Sequence, residues 1–161
     1  MPPFISAQLQ FVSDAGDKTF LVSIIGLISI VLLFINGYKR ESIFIVAASL
    51  STVFSYLLKF IFREPRPAGA KPAIVFDQYS FPSSHTLTYT VFFGFIIYLC
   101  FKLTGIPLPI RIVAAAISVY FISLVGISRV YLGEHYVWDV AAGYIFGLLY
   151  LLILIALDKN I

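Results

Sequence analysis

The chain has 161 residues, 60% of them hydrophobic and only 12% charged, with a mean hydropathy of +0.98, far from the roughly half-apolar, quarter-charged make-up of a soluble domain. Its net charge of +3 does not mark a nucleic-acid partner, because the basic residues are scattered at the ends of apolar runs and form no stripe. The single cysteine, Cys100, excludes an internal disulfide and a thiolate metal cluster.

The N-terminal stretch "MPPFISAQLQF" lacks the basic start and long apolar core of a cleaved signal peptide. Ile5, Leu9 and Val12 recur at helical spacing, which predicts a short interfacial helix over residues 4–13. Crossing a bilayer as helix takes about 20 apolar residues. Thr19–Tyr38 and Ser42–Phe62 meet this, joined by a tight "KRE" turn at 39–41. Arg63–Pro82 is polar and rich in Pro and Gly, so it reads as an irregular loop. His85–Leu103 is the third span. A short link near 104–110 follows, in which Pro107 and Pro109 forbid a continuous helix. The fourth span runs from about Ile110 to Ile127, and Tyr136–Leu157 is the fifth. The expected fold is all-α: a polytopic membrane helix bundle of about five transmembrane helices with an N-terminal interfacial helix, in a single domain covering 1–161.

Helix alternation places Lys39, Arg40, Lys102, Arg111 and Lys159 on one side of the membrane. Lys18, Lys59, Arg63, Arg66, Lys71 and Arg129 fall on the other. The raw count is nearly even, so charge bias alone does not orient the chain. If Lys59, Arg66 and Arg129 serve another purpose, the first side is cytoplasmic and the N-terminus lies outside.

Three polar clusters gather on that outer side. In "KFIFREPRP", Lys59 and Arg66 either snorkel to headgroups or belong to a site; Pro65 and Pro67 favour a held shape around Arg66. In "FPSSH", Ser83 and Ser84 make a good helix start, and a helix N-terminus binds anions, with His85 beside it. In "SRVYLGEHYVWD", His135 and Asp139 are four residues apart and share a helix face. Asp139 either caps the fifth span or fixes the tautomer of His135, leaving the other ring nitrogen as a nucleophile. Glu134 reads as a solvated loop charge, and Tyr136 and Trp138 as an interfacial aromatic belt. Together the clusters offer two histidines, one aspartate and three cations. The cations could hold a phosphoryl group's oxygens while one histidine attacks phosphorus and the other protonates the leaving oxygen. No Asp/Glu cluster suits a divalent metal, so no metal or other cofactor is expected.

Lys59, six residues, Arg66-Pro67; Pro82-Ser83-Ser84-His85; and Ser128-Arg129, five residues, His135, three residues, Asp139: this series resembles the three-part signature of the type 2 phosphatidic acid phosphatase family, which shares its site with vanadium haloperoxidases. The resemblance implies a metal-independent lipid phosphate phosphatase. His135 would form a phosphohistidine, Asp139 would orient it, and His85 would act as general acid. Lys59, Arg66, Ser83, Ser84 and Arg129 would bind phosphate. The site of bacterial members faces the periplasm or exterior, which implies a multi-pass protein of the cell (inner) membrane. Two departures stand out: Ser84 occupies a position where the family usually has Gly, and bacterial members often have six spans.

The expected substrates are polyprenyl diphosphate (undecaprenyl diphosphate among them), phosphatidylglycerol phosphate and phosphatidic acid. Arg63 and Lys71, as extra cations, lean slightly toward a diphosphate. The expected partners are the bilayer and its lipid phosphate, with no nucleic acid. The alternative is a non-enzymatic transporter or lipid-binding scaffold with an anion site. Gly143 and Gly147, and the small face of Ala114, Ala115, Ala116 and Ser118, allow close helix packing within the chain or in a dimer, which leaves the oligomeric state open. Residues 68–80 read equally as a lid or a plain connector.

Overall fold

The computed structural model describes residues 2–17, 20–70 and 78–160. Lys18, Thr19 and Lys71, with the rest of 71–77, lie outside the described residues. Among the described residues six helices follow in order: α1 (Pro3–Asp17), α2 (Phe20–Ile35), α3 (Lys39–Phe62), α4 (Ser84–Lys102), α5 (Leu108–Tyr131) and α6 (Val137–Asn160). The helix α3 is continuous through Leu50, whose N–H donates to Val46 O and whose carbonyl accepts from Phe54 N–H. Nearby, Ser51 and Ser55 return their hydroxyls to the carbonyls of Ala48 and Thr52, a habit that bends helices.

α3, α4, α5 and α6 are long and apolar enough to cross a membrane. The expected first span is shorter than its apolar run: α2 has 16 residues, about 24 Å at 1.5 Å per residue. Gly37, at φ 86°, ends it in a turn before the "KRE" residues, which open α3 rather than forming the turn themselves.

α4 is the axis of the bundle. Leu87, Tyr89, Val91, Phe92, Phe93 and Phe95 on it are all buried. Lipid tails are as apolar as leucine, so packing rather than water exclusion must hold such helices together. Two devices do so here. Phe93 stacks on Phe121 of α5 at 4.9 Å, with Tyr89 edge-on to both. On the other flank, Gly143 and Gly147 of α6 let α4 approach until a Cβ at Gly143 would lie 2.9 Å from Ser83 O and one at Gly147 2.8 Å from Thr90 Cβ. Those two glycines therefore serve packing within the chain. Leu152, Ile153, Val113 and Phe101 point outward.

The two groups of links lie at opposite ends of the bundle. At one, Asp158 accepts from Tyr98 Oη (2.6 Å) and Lys102 Nζ (2.7 Å) and pairs with Arg40 (3.3 Å), while Lys102 also reaches Glu41 at 2.8 Å. This knot ties α3, α4 and α6 together. The other end carries the polar clusters. There α1 lies against α5, α4 and α2 with Leu9, Val12, Ser13 and Ala15 buried and Phe4 and Phe11 exposed. The expected interfacial helix thus exists, and it is longer and more deeply packed than its weak periodicity suggested.

Candidate active site

Lys59, in the last turn of α3, is fully buried. Its ammonium donates to the carbonyls of Tyr79 (2.6 Å) and Ser80 (3.2 Å). A snorkelling lysine would reach outward to water; this one is drawn inward by carbonyls from the far end of the long loop. Arg63, the next cation, sits at φ 53° and turns its Nε back to Phe60 O at 2.9 Å. It caps its own helix end and is exposed, so it is not the extra cation of the cluster that the sequence suggested. Arg66 instead points inward, donating to the carbonyl (3.1 Å) and carboxylate (3.4 Å) of Glu134. Loop residues 64 and 80 are joined by Ser80 N–H to Glu64 O at 2.8 Å, which closes the loop beneath Arg66.

At the start of α4, Ser83 holds the N-cap position, but its hydroxyl makes no cap bond and accepts from Thr86 Oγ1 at 3.0 Å instead. Its N–H donates to Asp139 O at 3.0 Å, which fastens the first turn of α4 to the first turn of α6. Ser84 is the first helical residue, and Arg63 is the one non-glycine described residue at positive φ. Serine in place of glycine therefore carries no strain. His85 stands in that first turn, with both ring nitrogens shielded from solvent and its ring 6.3 Å from that of Tyr89.

His135 lies just before α6, in the turn that Gly133 makes at φ 71°. Its Nδ1 is 3.3 Å from Asp139 Oδ2. The same oxygen accepts the N–H of Tyr136 at 2.9 Å. Asp139 is therefore both a helix cap and the histidine's partner; the two readings of the sequence are one arrangement. Its Oδ2 also accepts the hydroxyl of Ser80, which lies 3.3 Å from His135 Nδ1 as well. With Nδ1 facing this carboxylate, the proton belongs there, and the other ring nitrogen, Nε2, has no hydrogen-bond partner among the described residues.

Burial pushes the His135 pKa down to about 4; the bond to Asp139 opposes this, and the charges of Lys59, Arg66 and Arg129 reinforce it. The three cations from three different segments thus act on one ring. A neutral imidazole with its free nitrogen in a field of positive charge can attack an electrophile carrying negative oxygens.

Arg129, in the last turn of α5, is buried. One end of its guanidinium donates to Ser13 Oγ on α1, and the other is 3.8 Å from Glu134 Oε2. Glu134 is consequently no solvated loop charge: it bridges Arg66 and Arg129. Ser13, Ser80 and Glu134 escaped the sequence reading. Ser80 lay within a stretch read only as lid or connector, and Ser13 on a helix known only from its apolar spacing. Tyr136 and Trp138 stack at 4.5 Å at the rim, as a membrane-interface belt would.

Comparison with known proteins fits this geometry. Over 163 aligned residues the chain is 28% identical to phosphatidylglycerophosphatase B of Bacillus subtilis (strain 168), covering 99% of this chain and 78% of that protein. The crystal structure of a transmembrane PAP2-type phosphatidylglycerolphosphate phosphatase from Bacillus subtilis superposes with a TM-score of 0.78 at 26% identity, covering 100% of this chain and 80% of that one. The family model described as PAP2 superfamily matches residues 40–161, which include Lys59, Arg66, His85, Arg129, His135 and Asp139. A multi-pass membrane bundle with this cluster at one end, matched by that family over three-quarters of its length, belongs to the PAP2 superfamily.

Proposed function

We propose that the protein is an integral-membrane lipid phosphatase working through a phosphohistidine on His135. The observation that carries this reading is the state of that ring: neutral, with Nδ1 held by Asp139 and Ser80 and Nε2 unpartnered. Lys59, Arg66 and Arg129, with Ser83 and Ser84 at the α4 start, receive the phosphoryl oxygens. The Nε2 lone pair attacks phosphorus, and the bond from phosphorus to the leaving oxygen breaks. His85 delivers a proton to that oxygen, releasing the lipid alcohol. Water then attacks the phosphohistidine as His85 takes its proton, the P–N bond breaks, and inorganic phosphate leaves. The three cations supply the charge a metal would otherwise bring, so the reaction proceeds without one.

The name of the Bacillus relative favours phosphatidylglycerol phosphate over phosphatidic acid and polyprenyl diphosphate as substrate. The exposed position of Arg63 weakens the case for a diphosphate. Tails remain in the bilayer while the headgroup enters from the outer face, with the site toward the periplasm or exterior. The whole of 1–161 acts as one phosphatase unit.

Phosphate release from the three candidate lipids by detergent-purified protein, with and without chelator, tests this reading. Release that resists chelation, is inhibited by orthovanadate and is lost in His135→Ala supports it. Full activity in that variant, or strict magnesium dependence, refutes it.

A further inference from the structure

α1 lies outside the region that matches the family, which begins at residue 40. Even so, three of its residues meet the edge of the cluster. Leu9 O accepts the hydroxyl of Ser128 at 2.6 Å, Val12 O accepts that of Tyr89 at 2.9 Å, and Ser13 Oγ accepts from Arg129 Nη1. All three contacts are buried. They fall on Arg129, on its chain neighbour, and on the tyrosine whose ring adjoins His85. The opposite face of α1 shows Phe4 and Phe11 outward, with Phe11 also tilted against Phe121 at 6.1 Å.

A guanidinium donates in a fixed plane, so the direction of its fork depends on what holds each end. Glu134 draws one end of Arg129 and Ser13 the other. Losing the serine hydroxyl removes the contact that sets the Nη1 end of the fork, so the guanidinium then meets an incoming anion at a different angle.

We propose that Ser13 is a positioning residue for Arg129, and that the phosphate pocket is complete only when α1 is docked on α5 with its aromatic face in the outer leaflet. This rests on the phosphatase reading and extends it: a helix outside the family's matched region supports the anion site from behind Arg129. Ser13 acts through Arg129 and does not touch substrate.

The test is competitive inhibition of lipid hydrolysis by inorganic phosphate, with phosphate binding to the detergent-purified full chain measured in parallel. Ser13→Ala should raise both the inhibition constant and the dissociation constant about tenfold, the scale of one hydrogen bond to a charged group. Ser13→Thr should restore them, together with any melting temperature that Ser13→Ala loses by leaving a buried donor unpaired. In an Arg129→Ala background, adding Ser13→Ala should change phosphate binding no further. Wild-type phosphate binding in Ser13→Ala, an undiminished effect in the Arg129→Ala background, or a lowered melting point that Ser13→Thr fails to correct would each overturn the inference while leaving the phosphatase reading intact. A wild-type protein that neither binds phosphate nor releases it from any lipid defeats the phosphatase reading, and this inference with it.

Discussion

Ser80 Oγ lies 3.3 Å from Nδ1 of His135, a residue 55 positions further along the chain. The serine hydroxyl also donates to the Asp139 oxygen that holds the histidine, so it crosslinks the loop after α3 to the turn before α6. Ser80→Ala should lower kcat by about tenfold, the scale of a hydrogen bond to a charged group, with KM for the lipid nearly unchanged. Steady-state phosphate release checks this, and an equal effect on KM would instead place Ser80 against the substrate.

Glu134 occupies the space between Arg66 and Arg129 that an anion would want. Glu134→Gln keeps the shape and removes the competing charge. Inorganic phosphate should then inhibit two- to fivefold more tightly, matching the ~0.5–1 kcal/mol of a partly exposed ion pair. Weaker inhibition would mean that the carboxylate serves to hold the arginines in place.

The depressed pKa of His135, about 4 against an ordinary 6.5, gives two pH effects of known sign. With His135 as the proposed nucleophile, the neutral ring persists as pH falls, so the acid limb of kcat/KM due to this residue should sit near 4 and not near 6.5. Stability moves the other way. Between those values the unfolded chain binds the proton and the folded chain does not, so stability is lost as pH falls from about 6.5 and levels off below about 4, with a slope of up to ~1.4 kcal/mol per pH unit. Thermal melts of the wild type and His135→Gln across this range isolate the effect, because the variant lacks the slope.

A methyl group at Gly143 would meet Ser83 O at 2.9 Å. Gly143→Ala should therefore cost about 1–3 kcal/mol and push α6 away from the α4 start. Since Ser83 N–H is bonded to Asp139 O, phosphate release measured well below the melting temperature should fall too.

The knot at the opposite end predicts the reverse pattern. Asp158→Asn leaves Lys102 and Arg40 with less compensation. It should cost about 1–3 kcal/mol, below the value for a fully buried pair because both cations are partly exposed. Activity below the melting temperature should be retained. A large loss of kcat there would show that the two ends of the bundle are mechanically coupled.

The apolar runs made the spans legible, because twenty lipid-soluble residues in a row have few other uses. The motif residues were legible because their costly charges lie beside apolar segments and demand a cause. Glu134, Ser80 and Ser13 were hidden for a different reason. Each is a common surface residue type, and only the folded path reveals its burial or its partners. Ser13 contacts a residue 116 positions away, a separation that no local pattern records. The shortness of α2 was equally hidden, because Asn36, Gly37 and Tyr38, which extend its apolar run, form the link to α3.

Trp138 is the one tryptophan in the chain, and it stands three residues from His135, face to face with Tyr136. The protein's indole emission therefore comes from a single ring in the first turn of α6, beside the turn that carries the proposed nucleophile His135. Any shift of that turn when an anion arrives changes the stacking and hence the light, so occupancy of the pocket can be followed in real time without attaching a dye.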